Sequence, residues 1–327
     1  MDPSETEPAV APAESTRPDD TRTTPAPEPR HLQWWAYLLL GMASAVAGLL
    51  PWVVSGMRLP LQNLWATETL PDDMPIVLLP FNQYALLLIV ALIITGSAIA
   101  GIVARVTRRR RPRFGVAAML AGVLIVQVVA VVQTTSVVRA GLQERPESDL
   151  YLAALVAVAT LSVLVGVLVM LLVAAAPKAG AMIGLSIAAV AFGQWCSSLL
   201  VPWGAVPTAE VAPLLDLVRW IPPVLVGVAI AWAGVGTVGR ILAAGMSLVI
   251  LWIGPAFITA VANAAGSRVL ARDPALMLEF AVEVFGAALT TPSIALPPLI
   301  AAVVVAAIGI IGRLVLRLAR GRRDVTT

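Results

Sequence analysis

Two long apolar runs in the first half of the chain are separated by the sequence RRRRPR at positions 108–113. Charges at this density cannot lie in hydrocarbon, where each central arginine costs roughly 2.5–3.5 kcal/mol. The block is therefore predicted to be a loop, and the densest basic loop of a membrane protein normally stays in the cytoplasm. The helix ends beside this block therefore lie at the cytoplasmic face. The orientation of every other span follows because successive spans alternate in direction.

Composition supports this interpretation. Charged residues make up 13% and hydrophobic residues 59% of the chain, whereas a soluble domain carries about 25% charged residues. We predict an all-α integral membrane protein in which each crossing needs about 20 apolar residues. The one cysteine, Cys196, excludes an intrachain disulfide, and the one histidine, His31, lies just before the first span, which argues against a histidine-based metal cluster or a Ser-His-Asp triad within the chain. Without phosphate-loop, dinucleotide or zinc motifs, neither enzymatic activity nor a cofactor is expected.

Eight transmembrane helices are predicted. Between positions 220 and 261 a 42-residue apolar run is too long for one span, and Gly234, Gly236 and Gly239 beside Arg240 indicate a hairpin. The predicted spans are 32–54, 83–106, 114–138, 150–176, a fifth that follows the turn at 177–180 and ends near 201, the two arms of the 220–261 hairpin, and 293–316. Residues 1–31 are predicted to be a disordered cytoplasmic tail, and residues 317–327 a basic cytoplasmic tail.

The charge distribution is consistent with this topology. An even number of spans puts both termini in the cytoplasm, and 16 of the 22 basic residues then lie in inner segments or at inner helix ends. Only Lys178 is a lysine, a bias associated with GC-rich bacterial genomes. The predicted location is therefore the bacterial plasma (inner) membrane, with the protein multi-pass.

A weak internal repeat divides the chain. Pro51-Trp52 closes the first span, and Pro202-Trp203 closes the fifth. This predicts two four-helix halves, 32–176 and 177–316, in parallel orientation, as in transporters built from parallel repeats. The alternative is that proline and tryptophan are simply common where any helix leaves a membrane.

A further helix is predicted near 274–291. Asp273 can cap it and Pro274 suits its first position, while Glu279 and Glu283 lie one turn apart on it. A ninth span would send the basic C-terminus outside, so this helix is interpreted as interfacial or re-entrant. The two carboxylates either face a vestibule and bind a cation or proton, or simply face water.

Polar residues in the outer halves of the spans suggest a site. Gln133, Gln194 and Asn263 lie toward outer helix ends and could join Glu279 and Glu283. The alternative is that these amides bond neighbouring helices. At the inner side, five arginines are predicted to set the topology and contact lipid headgroups: Arg108, Arg109, Arg110, Arg111 and Arg113. Nucleic-acid binding is not expected, because no folded cytoplasmic domain or aromatic platform accompanies them.

Two functional hypotheses follow. The first is a non-enzymatic component that binds other membrane proteins or takes part in assembly, favoured by the scarcity of charge inside the spans. The second is a permease or flippase for an amphipathic or lipid-like substrate, favoured by the 4+4 pattern and the outer polar residues. Both place the protein in the lipid bilayer.

The topology has a direct test. A fluorescent protein fused after Thr327 is expected to be active and a periplasmic phosphatase fused there inactive. The reason is that an even number of crossings returns the C-terminus to the side of the arginine block. Paired fusions to a fluorescent protein and to a periplasmic phosphatase measure this. Phosphatase activity without fluorescence would contradict the predicted topology.

Overall fold

The computed structural model describes residues 33–267 and 273–323. The predicted disordered tail at 1–31 lies outside these ranges. Within them the regular structure is helical, and β-pairing is limited to two isolated bridges, Arg58 with Ile76 and Trp65 with Leu142.

The described ranges contain eleven α-helices. They are α1 (Trp34–Gly48), α2 (Leu50–Val54), α3 (Leu86–Val106), α4 (Gly115–Gly141), α5 (Pro146–Ala175), α6 (Lys178–Leu200), α7 (Ala212–Val218), α8 (Ile221–Ala233), α9 (Val238–Gly266), α10 (Pro274–Thr290) and α11 (Pro292–Arg323). Single 3₁₀ turns lie at Pro71–Asp73, Gln83–Ala85 and Arg108–Arg110.

Seven helical segments in the described ranges are long and apolar enough to cross a membrane. They are Gln83–Val106, Gly115–Gly141, Pro146–Ala175, Lys178–Leu200, Ala212–Ala233, Val238–Gly266 and Pro292–Ala319. This confirms a multi-pass membrane protein of the all-α class.

The first predicted span, 32–54, differs from the others because it is broken. α1 has only 15 residues, and α2 begins anew at Leu50. Pro51 has no amide hydrogen with which to continue the hydrogen-bond ladder of α1, and its ring would crowd the preceding turn. Leu49 ends α1 by donating to the carbonyls of Ala45 and Val46.

The predicted hairpin within 220–261 is present. α8 ends at Ala233, α9 begins at Val238, and Gly234 turns the chain with a φ of 73° that favours glycine. α7 precedes α8, the first arm of this hairpin, and lies in the segment 202–219, which was predicted to be a loop between two spans. The predicted cap of α10 is also present, since the carboxylate of Asp273 accepts hydrogen bonds from the amides of Ala275 and Leu276.

The two ends of the bundle carry opposite charges. We define the basic end by the turns 107–114, 176–177 and 234–237, and the acidic end by the loops 55–82, 142–145 and 201–211 and the loop residues Ser267 and Asp273. The basic-end turns contain no aspartate or glutamate. All eleven acidic residues of the described ranges lie in the acidic-end loops, in the adjoining first turns of α5, on α7 or on α10.

The four main helices of each predicted half contact one another in the same pattern. Between 32 and 176, the second helix α3 packs most extensively on the fourth, α5, and the first helix α1 packs on α4 and α3. Between 177 and 316, the second helix α8 packs most extensively on the fourth, α11, and the first helix α6 packs on α8 and α9. α6 also contacts α3 and α5 and so joins the two sets.

Glycines permit a close approach between helices α1 and α4. A Cβ atom on Gly122 of α4 would lie 2.1 Å from the carbonyl oxygen of Leu38, and one on Gly41 of α1 would lie 2.1 Å from that of Met119. Both obstacles are helix backbone, which cannot rotate away. Small residues at such crossings are the usual basis of helix association in membranes.

Substitution of Gly122 by alanine is therefore expected to destabilise the protein by roughly 1–3 kcal/mol through overpacking against α1. Gly245→Ala is the matched control, because Gly245 also lies inside a long helix but a Cβ there meets nothing within 4 Å. Thermal unfolding of both full-length variants in one detergent measures the difference. Equal midpoints for the two variants would contradict the tight α1–α4 crossing.

Candidate functional site

A groove with a volume of about 850 Å³ lies near the basic end. It lies between α3, α6 and α8, with one contribution from α5. Its apolar wall is formed by Ala98, Ile99, Ile102, Val106, Val173, Leu185, Ala188, Ala189, Phe192, Leu225, Val228 and Ala229. We call this feature the α3–α8 groove. Its volume lies within the range of roughly 300–1,000 Å³ typical of small-molecule sites.

The groove opens sideways along the helices. α3 and α8 have no extensive contact with each other, and α6, which contacts both, forms the back wall. Ile102 and Val228, on opposite rims, are 43% and 51% exposed. From Thr95 to Val106 the groove follows α3 for about 17 Å at about 1.5 Å per residue. That is more than the half-thickness of a bilayer hydrocarbon core, about 15 Å.

Arginines line the mouth of the groove at the basic end. Arg105, Arg108 and Arg109 all contribute to its lining. The last two belong to the exposed 3₁₀ turn and make no hydrogen bond within the described part of the chain, so their guanidinium groups are open to a ligand. Since the basic-end turns have no acidic residue, the mouth has an uncompensated positive charge.

Arg105 also ties three helices together. Its Nη1 donates to the carbonyl oxygens of Val173 at 2.6 Å and Ala176 at 3.1 Å, at the C-terminal end of α5. Its Cζ lies 4.9 Å from the ring centroid of Trp232 on α8, and Lys178 Nζ lies 5.8 Å from the same ring. These are cation–π distances. Trp232 is therefore held between two cations from α3 and α6.

Thr95 lines the deep end of the groove. Its side chain is 2% exposed, and its Oγ1 has no hydrogen-bond partner. Other hydroxyls near it in sequence bond to the carbonyl four residues earlier, Ser97 to Ile93 and Thr107 to Val103. An unpaired buried hydroxyl costs about 1–3 kcal/mol. A ligand group that forms a hydrogen bond with Thr95 would remove this cost.

The structure places the five predicted arginines in two groups. Arg108 and Arg109 line the groove, whereas Arg110, Arg111 and Arg113 do not. Arg113 lies over the Phe114 ring at 5.7 Å, and the side chain of Arg111 packs against Gly115. The sequence indicated a basic loop, but only the fold shows which arginines face the groove.

The three amides of the predicted outer polar site have separate partners. Gln133 on α4 accepts from the amide of Leu78 and donates to the carbonyl of Ile76, which fastens the 55–82 loop to α4. Gln194 donates to Ser198, and Asn263 donates to the carbonyl of Thr259, each within its own helix. No hydrogen bond in the described ranges joins any two of these three.

Glu279 and Glu283 are exposed on α10. This helix packs along α9, and Trp252 Nε1, near the middle of α9, donates to the carbonyl of Leu289 near the end of α10. Since α10 begins seven residues after α9 ends, the two helices run antiparallel over about 21 Å. In the described ranges no group of three or more His, Cys, Asp or Glu side chains could hold a metal ion.

Sequence reasoning missed the structure of the 55–82 segment, which was interpreted only as a loop. Five of its side chains are at most 2% exposed: Leu59, Met74, Val77, Leu79 and Phe81. Trp52 Nε1 donates to the carbonyl of Val77, and Tyr151 donates its hydroxyl to Gln62 Oε1 at 2.7 Å. The segment is therefore an ordered cap over the acidic end of α3. Its alternation of proline with large apolar residues was the available signal.

No family model matches the chain, and no curated protein or solved structure shows significant similarity to it. The interpretation of the groove therefore rests on its own chemistry.

Tyr151→Phe is expected to lower the free energy of unfolding by roughly 1–3 kcal/mol, because the buried Gln62 Oε1 loses the hydroxyl that donates to it. Chemical denaturation of the full chain in detergent measures the loss. Gln62→Leu and the double variant complete a cycle that isolates the pair. Strict additivity of the two single effects would contradict a direct bond.

Proposed function

We propose that the protein is a permease or flippase for an anionic amphipath, which it binds in the α3–α8 groove. One observation supports this: an apolar, laterally open wall meets three arginines at one end, in a region without acidic residues. An alkyl chain matches the wall, and a phosphate or carboxylate headgroup matches the mouth.

The headgroup is expected to provide most of the selectivity. In a bilayer, an alkyl chain gains little by leaving lipid for an apolar groove, because both surroundings are equally apolar. Each basic residue near an anionic headgroup contributes about 1 kcal/mol. Arg108 and Arg109 are unbonded and exposed, so they can form these contacts without first breaking others.

The proposed topology has eight crossings, of which the broken α1–α2 segment is the first. Support comes from the packing of α1 against α3 and α4, two helices long enough to span. In this arrangement both termini and the basic end face the cytoplasm of a bacterial cell. α10 then enters from the opposite side as far as the depth of Trp252, and α11 continues from there to the basic end.

The position of the groove fits a transporter. It lies where α3 of the first half meets α6 and α8 of the second, and the two halves share one packing order. Substrate sites of repeat-built transporters lie at such junctions, and alternating access arises as one half rocks against the other. The stacking of Arg105 on Trp232 crosses this junction, so we infer that it weakens or breaks when the halves move.

The proposal predicts different effects for two pairs of arginines in one loop. Arg108→Gln with Arg109→Gln is expected to reduce flux of an alkyl phosphate in proteoliposomes about tenfold or more, since two contacts of about 1 kcal/mol each are lost. The matched control, Arg110→Gln with Arg113→Gln, removes the same charge from the same loop outside the groove. It is expected to retain most of the flux.

Equal losses in the two double variants would contradict the proposal, because a general surface potential would then explain the effect. Unchanged flux in both would also contradict it. In that case the hypothesis of a partner-binding component is favoured, and a stoichiometric membrane protein should co-purify with the chain under gentle solubilisation.

A further inference from the structure

The deep end of the α3–α8 groove has one polar side chain. Apart from Trp232 and the arginines at the mouth, Thr95 is the only polar residue among the lining residues of this groove. Its hydroxyl is buried, unpaired and surrounded by an apolar wall. We propose that Thr95 binds a second polar group of the substrate, located near the far end of its chain. This deepens the function proposed above and rests on it.

The separation along α3 sets where that group must lie. Thr95 and Arg105 are ten residues apart on one helix, which corresponds to about 15 Å. This equals about half of a hydrocarbon core of about 30 Å. Arg105 is the mouth arginine nearest to Thr95 along the chain, so a headgroup held at the mouth positions the chain end, and not its middle, beside Thr95. The substrate class is an anionic amphipath with a hydroxyl or carbonyl at the chain terminus.

Water is a poor substitute for this group. A buried water needs two to four polar partners, and the side chains of the deep wall supply one, the hydroxyl of Thr95. A plain alkyl chain would fill the space but leave Thr95 unpaired. Sites with a buried polar group discriminate against ligands that cannot pair with it. Thr95 is therefore a specificity-determining residue and not a source of general affinity.

The test compares two probes on the full-length protein in phosphatidylcholine nanodiscs. One is dodecyl phosphate, and the other is the same molecule with a hydroxyl at the chain terminus. The hydroxylated probe is expected to bind wild type about fivefold more tightly, as one added hydrogen bond implies. Decyl and tetradecyl pairs set the length at which the preference is largest.

Two substitutions at one position distinguish hydrogen bonding from packing. Thr95→Val keeps the side-chain shape and is expected to abolish the preference, so that this variant binds the two probes with equal affinity. Thr95→Ser keeps the hydroxyl and is expected to retain the preference. Because valine removes an unpaired hydroxyl, the unliganded Thr95→Val protein should unfold at the same temperature as wild type or higher.

Each alternative outcome is decisive. Equal affinity of wild type for both probes, with both weakened by the Arg108→Gln and Arg109→Gln double change, would overturn the role of Thr95 and leave the proposed function standing. A preference that survives in Thr95→Val would also overturn it. Binding of neither probe at any chain length would overturn both proposals.

Discussion

The packing of α3 is the constraint on which the rest of the described structure depends. In its most apolar stretch 72% of the residues are buried, compared with 11% in α11. It contacts α1, α4 and α5 of its own predicted half, 32–176, and α6 of the other, 177–316. Such contacts need small residues, and α3 supplies Gly96 against Ala45 and Gly101 against Met170. One face of α3 remains uncovered beyond α6, and that face becomes a wall of the groove.

Arginine contacts complete the basic end of each half. Arg105 on the second helix of the first half donates to carbonyls at the end of the fourth, α5. In the second half the direction is reversed, and Arg313 on the fourth helix, α11, donates to the carbonyls of Ala231 and Trp232 at the end of the second, α8. The last carbonyls of a helix have no partner within it. Each arginine thus satisfies them while its charge stays at the end of the bundle.

Much of the fold could be predicted because lipid limits the choices. Backbone groups in hydrocarbon must be paired internally, so apolar runs between charged or glycine-rich breaks become helices. The hairpin at Gly234 was predicted on these grounds, and the cap at Asp273 was predicted from the residue types that begin a helix. The break between α1 and α2 was missed, because Pro51 was interpreted as marking the membrane exit when it also interrupts the hydrogen-bond ladder.

The candidate site was harder to predict for a physical reason. Grouping Gln133 with Gln194 and Asn263 assumed that equal depth brings side chains together, but their directions around the helix axes decide this, and each bonds elsewhere. The ordered cap formed by residues 55–82 was also missed, since its order comes from long-range contacts with Trp52 and Tyr151.

The class of protein, its helical segments and the separation of charge between its two ends follow from the amino-acid sequence alone. These depend on composition and on local periodicity, which lipid enforces strongly. Only the tertiary structure decided that Arg105, Arg108 and Arg109 share a groove with Thr95 and Trp232. That arrangement depends on which faces of α3, α6 and α8 meet. Contacts between small residues far apart in the chain set these faces, and apolar helices carry little local signal for them.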